Sequence, residues 1–475
     1  MVGVLQPGPS LVPVLSLVAD GARPDTLAAA MDAGALPALA RLRAEGGLHT
    51  VSSAFPSVTG PAYAPFLMGR YPGPVGLPGL RWFDRERRTA AFPHYTRSYV
   101  GSEMRKVDRD LDPAAPTLFE LAAPRGTSLA ALNVIGRGLP AQHRLGRGVR
   151  FVMRAARTHF SGNVRGWLAI DREIGAEVTR RTLRDRPAVV FCALTGIDKT
   201  SHSEGHAAPV VTEAMRIVDH TAAELRDGLE RQGAWETTQL WVVSDHGHSP
   251  VRWHEDLAGL LHAWGHGTIA HPWVFGRGRD AAVMVSGNAM AHLYLELDRR
   301  VRPWWPELAP RWEAVAGALL ERPSVDLLLL PHSPDRCELR GRGRGTAFVE
   351  RSGAGAATRL TYRPVSGDPL GLGGELTGLC ERAAYDACAP TDYPDALVQI
   401  AHLAGSARTG EIVISASRDW DLRSRYEPIP HVSSHGALHR EHMLVPLLVN
   451  HPPARAPLRT ADVMPSALRA LGLEV

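Results

Sequence analysis

The chain has 475 residues, 44% of them hydrophobic and 21% charged, which is the make-up of a globular protein large enough for one sizeable domain plus an insertion. Its 53 basic and 49 acidic side chains leave a formal charge of +4, too even a balance to point to nucleic acid as a partner. Four cysteines (Cys192, Cys337, Cys380 and Cys388) form neither CxxC pairs nor a disulfide framework, and no apolar run reaches the length of a transmembrane helix, so the expectation is a cytoplasmic protein without a membrane span.

Taken in chain order, short apolar runs alternate with helical patterns. Val12–Val18 (VPVLSLV), Leu129–Ile135, Ala188–Leu194, Gln239–Val243, Ile412–Ala416 and Met443–Val449 read as buried strands, with helical stretches such as Asp25–Glu45 and Val211–Gln232 between several of them. That alternation predicts an α/β fold with a mainly parallel central sheet flanked by helices. Residues 268–406 have a different texture. A strand pattern at Ala291–Leu297, a Trp-rich helix over Trp304–Leu320, an apolar run Val325–Leu330 and a hairpin-like Gly/Arg-rich stretch Glu338–Arg363 predict a smaller α+β cap. The catalytic core is then 11–267 and 407–475, with Glu411 returning the chain to the main sheet.

The stretch Phe55–Gly73, FPSVTGPAYAPFLMGRYPG, places Thr59 just before a helix that Pro61 starts and Gly69 closes. Thr59 reads either as a helix cap or as a nucleophile facing an anion.

In open α/β sheets ligands bind outside the carboxyl ends of the strands, so polar residues directly after apolar runs are the ones to collect. Asp20 follows the first run. Asp198 and His202 (DKTSH) follow the run ending at Leu194, and Asp245 and His246 (SDHG) follow the one ending at Val243; His435 (SSHG) precedes the last. Each alone is commonly a cap or turn former. Together, three Asp and three His at one sheet edge make a donor set that suits zinc or manganese. His439 competes with His435 as a ligand, while His206, His248, His254 and His442 read as supporting or surface groups.

The order DGARPD, FPSVTGPAYAPFLMGRYPG, DKTSH, SDHG and a late SSHG before an apolar strand resembles the alkaline phosphatase superfamily, and within it the type I phosphodiesterase/nucleotide pyrophosphatase family. The resemblance runs from about Val12 through Gly247 and again from Glu411 to Leu473, where TADVMPSALRALGL matches the usual ending of the family. It implies a hydrolase with two divalent ions, normally Zn2+, with Mn2+ as the alternative. Asp198, His202 and His435 would hold the first; Asp20, Asp245, His246 and the Thr59 oxygen would hold the second, with Thr59 as nucleophile. No C/S-x-P-x-R pattern stands at Thr59, which disfavours the sulfatase branch.

Two divalent charges against three aspartates and an ionised threonine sum to zero, which favours a singly charged diester over a doubly charged monoester. Family members acting on nucleotides carry an Asn where this chain has Leu80. Arg81, the next residue, reads either as a charged replacement for that donor or as a surface arginine or a partner of Asp84. The expected partner is a small-molecule phosphate ester. Phosphomonoesterase, phosphonate hydrolase and phospho-group transferase are the alternatives.

Overall fold

The computed structural model describes residues 12–85, 96–98, 102–271, 279–422 and 431–474. Leu11, where the core is expected to begin, lies outside them. Seven strands form the central sheet: Val14–Ala19 (β1), Leu48–Ser52 (β2), Ser128–Ala131 (β3), Arg144–Leu145 (β4), Val189–Leu194 (β5), Gln239–Val243 (β6) and Leu444–Val449 (β7). Their order is β2-β7-β6-β1-β5-β3-β4. The five strands from β6 to β4 are parallel; β7 runs antiparallel to β6, and β2 antiparallel to β7.

Helices cover both faces, which is why β1 is buried throughout and apolar except for Ser16 rather than alternating. Val14 and Val18 share one cluster with Phe66, Phe119 and Met464, whereas Leu15, Leu17 and Ala19 share the other with Leu27, Ile174, Met215 and Leu225. The span expected as one helix, Asp25–Glu45, divides into Pro24–Asp32 and Pro37–Glu45, because Gly34 turns the chain at φ +72° and Pro37 opens a new helix.

A second sheet has nine strands, and residues 268–406 supply eight of them. The ninth is Ile412–Ala416, expected in the main sheet but paired antiparallel between Met290–Leu295 and Val325–Ser333. Its run IVISA is buried on both faces, with Ile412 and Ile414 toward Trp305–Leu320 and Val413 toward Ala396–Ala404. A strand covered by helices on both sides carries the same apolar pattern in either sheet, so composition could not assign its partner. Among the described residues no helix is long and apolar enough to cross a membrane.

The second sheet also braces the loops of the first. The Gly287–Ala289 turn receives the His435 segment, with Ala289 N–H donating to the His435 carbonyl at 2.9 Å and Asn288 bridging His435. Gln399, on Ala396–Ala404, accepts from Phe55 N–H at 2.9 Å and donates to the Ser53 carbonyl at 3.1 Å, gripping the segment that leads to Thr59. Gln399 is itself held by Asp395 at 2.8 Å, and Asp395 takes a two-pronged contact from Arg459 at 2.8 and 2.7 Å.

Asp395 is fully buried, so Arg459→Ala leaves its charge without its main partner. The expected loss is about 3–5 kcal/mol, read as a lower urea midpoint. A midpoint equal to that of the wild type contradicts this role.

Candidate metal centre

Every residue of the site leaves a strand end at the same edge of the central sheet. Asp20 directly follows β1. The helix Gly196–Glu204, after β5, brings Asp198 and His202 onto one face at i and i+4. Its exposed N–H groups at Thr195 and Gly196 are taken by the Asp171 carboxylate at 3.1 and 2.6 Å, which fixes the helix start. Asp245, His246 and His248 follow β6. His435 precedes the antiparallel β7, whose beginning lies at the same edge.

Thr59 stands immediately before Gly60, which adopts φ +98° and caps the turn Pro61–Tyr63 without a side-chain bond. The Thr59 hydroxyl therefore turns to the cluster instead of the helix backbone. Its Oγ1 lies 3.1 Å from Asp20 Oδ1 and 3.1 Å from His246 Nε2. His246 Nε2 is 3.3 Å from Asp20 and 3.6 Å from Asp245, and Tyr63 supports Asp20 from below at 3.5 Å. Donor atoms of Asp20, Asp245 and His246 all lie within 4.8 Å of one another. Thr59 is partly exposed, whereas the three others are buried, so its hydroxyl lies on the solvent side.

A second group centres on Asp198. Its Oδ1 has His202 Nε2 at 3.1 Å, His248 Nε2 at 3.0 Å and His435 Nε2 at 3.5 Å, and its Oδ2 takes Lys199 Nζ at 2.7 Å. Asp198, His246, His248 and His435 also fall within 4.8 Å of one another. His246 joins the two groups, its ring stacked on that of His435 at 3.6 Å. Gly21, at φ +81°, makes this packing possible: a Cβ there would lie 3.0 Å from the His248 ring and 3.1 Å from Asp198 Cα.

The charge balance tests whether cations fit. Burial first, then the neighbouring Asp20, pushes the Asp245 carboxyl up to about 8, and its Oδ2 has no hydrogen-bond partner. For His246, burial opposes the charge, but Asp245 and Asp20 outweigh it and lift the ring to about 9. Asp198 is held well below the usual carboxylate range against its burial, by Lys199 and His202. A carboxylate that resists ionisation beside another, with an orphaned oxygen among imidazoles, is a donor set that a divalent ion completes. The residues present fit a divalent metal.

The structure thus brings Asp20, Thr59, Asp245 and His246 together in one group and Asp198, His202 and His435 in the other. Arg81 lies buried on the short strand Arg81–Phe83, outside both ligand groups. His439 points elsewhere, with Nε2 2.8 Å from the Ala416 carbonyl, and His442 pairs with Ser249 Oγ at 2.7 Å. His248, expected as a supporting or surface group, is buried, with Nε2 3.0 Å from Asp198 Oδ1. The sequence signal for it was the H-x-H spacing within SDHGHSP, which on an extended segment points both rings to one side.

The family model "Type I phosphodiesterase / nucleotide pyrophosphatase" matches residues 14–303. Phosphonoacetate hydrolase from Sinorhizobium meliloti, solved with phosphonoacetate, is 17% identical at a TM-score of 0.59, with 97% of this chain and 96% of that chain covered. An inactive murine ectonucleotide pyrophosphatase/phosphodiesterase 5 in complex with AMP is 15% identical at a TM-score of 0.56, covering 97% and 95%. The human protein of that name is 13% identical at 0.57, covering 98% and 96%. At these identities the likeness is one of fold. No curated protein matches the chain.

In metal-free protein the raised Asp245 carboxyl stabilises the fold at low pH and loses that contribution as pH climbs from about 4, its unfolded value, to its folded value of about 8. The melting temperature of metal-free Asp245→Asn minus that of metal-free wild type is expected to rise across this window and level off above it. A difference flat with pH contradicts the electrostatic account.

Proposed function

As the chain belongs to the type I phosphodiesterase/nucleotide pyrophosphatase family, a branch of the alkaline phosphatase superfamily, we propose that it is a phosphodiesterase that works through a phospho-threonine intermediate on Thr59 at a two-metal site. The observation that carries the reading is the position of Thr59 Oγ1, 3.1 Å from both Asp20 and His246 at the solvent side of the buried donor set. A threonine hydroxyl is far too weak an acid to ionise alone near neutral pH. When bound, divalent ions (zinc by donor type, with manganese as the alternative) supply Lewis acidity that lowers the pKa of a coordinated oxygen and neutralises phosphoryl charge.

The side chains do the rest. Asp20 and His246 fix the direction of the Thr59 oxygen, which attacks phosphorus; the Oγ–P bond forms as the bond to the leaving oxygen breaks. Water then attacks the phospho-threonine, restoring the hydroxyl and releasing the phosphate product. Asp198, His202 and His435 would hold one ion, whose charge would favour departure of the leaving oxygen. Arg81 donates to a phosphoryl oxygen, the part that an Asn plays where this chain has Leu80.

The neutral sum of two divalent ions, three aspartates and an ionised threonine favours a diester. The second sheet, to which 268–406 contributes eight strands, selects the leaving group as a cap over the core. The phosphonoacetate-bound neighbour makes a carbon–phosphorus substrate the second reading.

Chelator-treated enzyme is expected to lose, and zinc or manganese to restore, cleavage of bis-p-nitrophenyl phosphate, with p-nitrophenyl phosphate turned over more slowly. Thr59→Ala is expected to lower diester cleavage by roughly a thousandfold or more while keeping the wild-type melting temperature. Full activity in Thr59→Ala would falsify the nucleophile assignment. Turnover of phosphonoacetate alone moves the reading to a phosphonate hydrolase.

A further inference from the structure

His248 is fully buried two residues beyond His246, and the ligand set implied by the family resemblance makes no use of it. Its ring is fixed at both ends. Nε2 stands 3.0 Å from Asp198 Oδ1, and Nδ1 stands 3.2 Å from Ser433 Oγ. Ser433 gives its hydroxyl proton to the Ser249 carbonyl at 2.9 Å, so toward the ring it acts as acceptor. His248 therefore carries its proton on Nδ1. The neighbouring rings obey the same rule: His202 Nδ1 faces the Ser433 carbonyl at 2.8 Å, and His435 Nδ1 faces the Ser57 carbonyl at 2.9 Å. A carbonyl only accepts, so both rings donate from Nδ1.

In their neutral forms, three Nε2 lone pairs then converge on one Asp198 oxygen, at 3.1, 3.0 and 3.5 Å. Lone pairs aimed at one buried carboxylate oxygen repel it unless a positive charge lies among them. Histidines that donate a ring N–H to oxygen acceptors and turn the other nitrogen inward have the orientation of metal ligands.

We propose that His248 is a direct ligand of the first divalent ion through Nε2, joining Asp198, His202 and His435, so that four protein donors hold an ion for which the family resemblance implies three. The assignment rests on the two-metal reading and deepens it. Three imidazoles and one carboxylate suit zinc better than manganese. They also make this position the tighter of the two, because the other position offers one imidazole, two carboxylates and the Thr59 oxygen.

The test compares wild type with His248→Ala and His248→Gln, stripped of metal and titrated with Co2+ by visible absorption and with Zn2+ against a chromophoric chelator. Wild type is expected to take up two equivalents. Both variants are expected to bind one of the two at least tenfold more weakly with an altered Co2+ spectrum, and added imidazole to restore the spectrum in His248→Ala. Unchanged affinity and spectrum in the variants overturn the proposal and leave the two-metal reading standing, whereas wild type that binds neither ion overturns both. Wild type also answers without a variant. In the Co2+ form, four paramagnetically shifted ring N–H signals are expected, from His202, His246, His248 and His435, and three overturn the assignment.

Discussion

Asp20, Asp198 and Asp245 are brought to one edge of a sheet and almost wholly removed from water, at 1%, 1% and 0% exposure. Three like charges so placed repel strongly, and the protein's own cations answer only part of that repulsion. Lys199 stabilises Asp198, whereas Asp245 keeps an oxygen with no hydrogen-bond donor and holds its proton far above the usual range. Much of the surrounding structure serves to hold these carboxylates where they would not stay unaided: the Asp171 contact at the helix start, Tyr63 beneath Asp20, and the glycine that lets His248 close on Asp198.

The fold meets that demand in two layers. Parallel strands bring Asp20, Asp198, Asp245 and their histidines to one edge, because the loops after β1, β5 and β6 all emerge there. The second sheet then supports the pieces that the parallel strands cannot carry. Its Gly287–Ala289 turn seats His435, and its helix Ala396–Ala404 uses Gln399 to grip the chain ahead of Thr59. Thr59 and His435 thus depend on the second sheet as much as on the first.

Much of this was legible in the chain. Gln239–Val243 forms as a strand over the span its apolar run marks, and the other central runs shift by only a few residues, because strands buried on both faces announce themselves by continuity. The strand-end carboxylates were legible for the same topological reason. Ile412–Ala416 was legible as a strand but not in its partner. The Asp171, Gln399 and Arg459 contacts were not legible at all, since each joins residues far apart in sequence with no local pattern. His248 fell between these cases: its spacing from His246 was visible, but the Ser433 hydroxyl that orients its ring comes from a segment 185 residues away.

Two divalent ions are proposed to complete this buried donor set. Anomalous diffraction at the zinc edge, from crystals grown with Zn2+, tests that proposal most directly. The account predicts two anomalous peaks, one among Asp20, Thr59, Asp245 and His246 and the other among Asp198, His202 and His435. No peak at these residues, or a single one with the other group empty at saturating Zn2+, would contradict it.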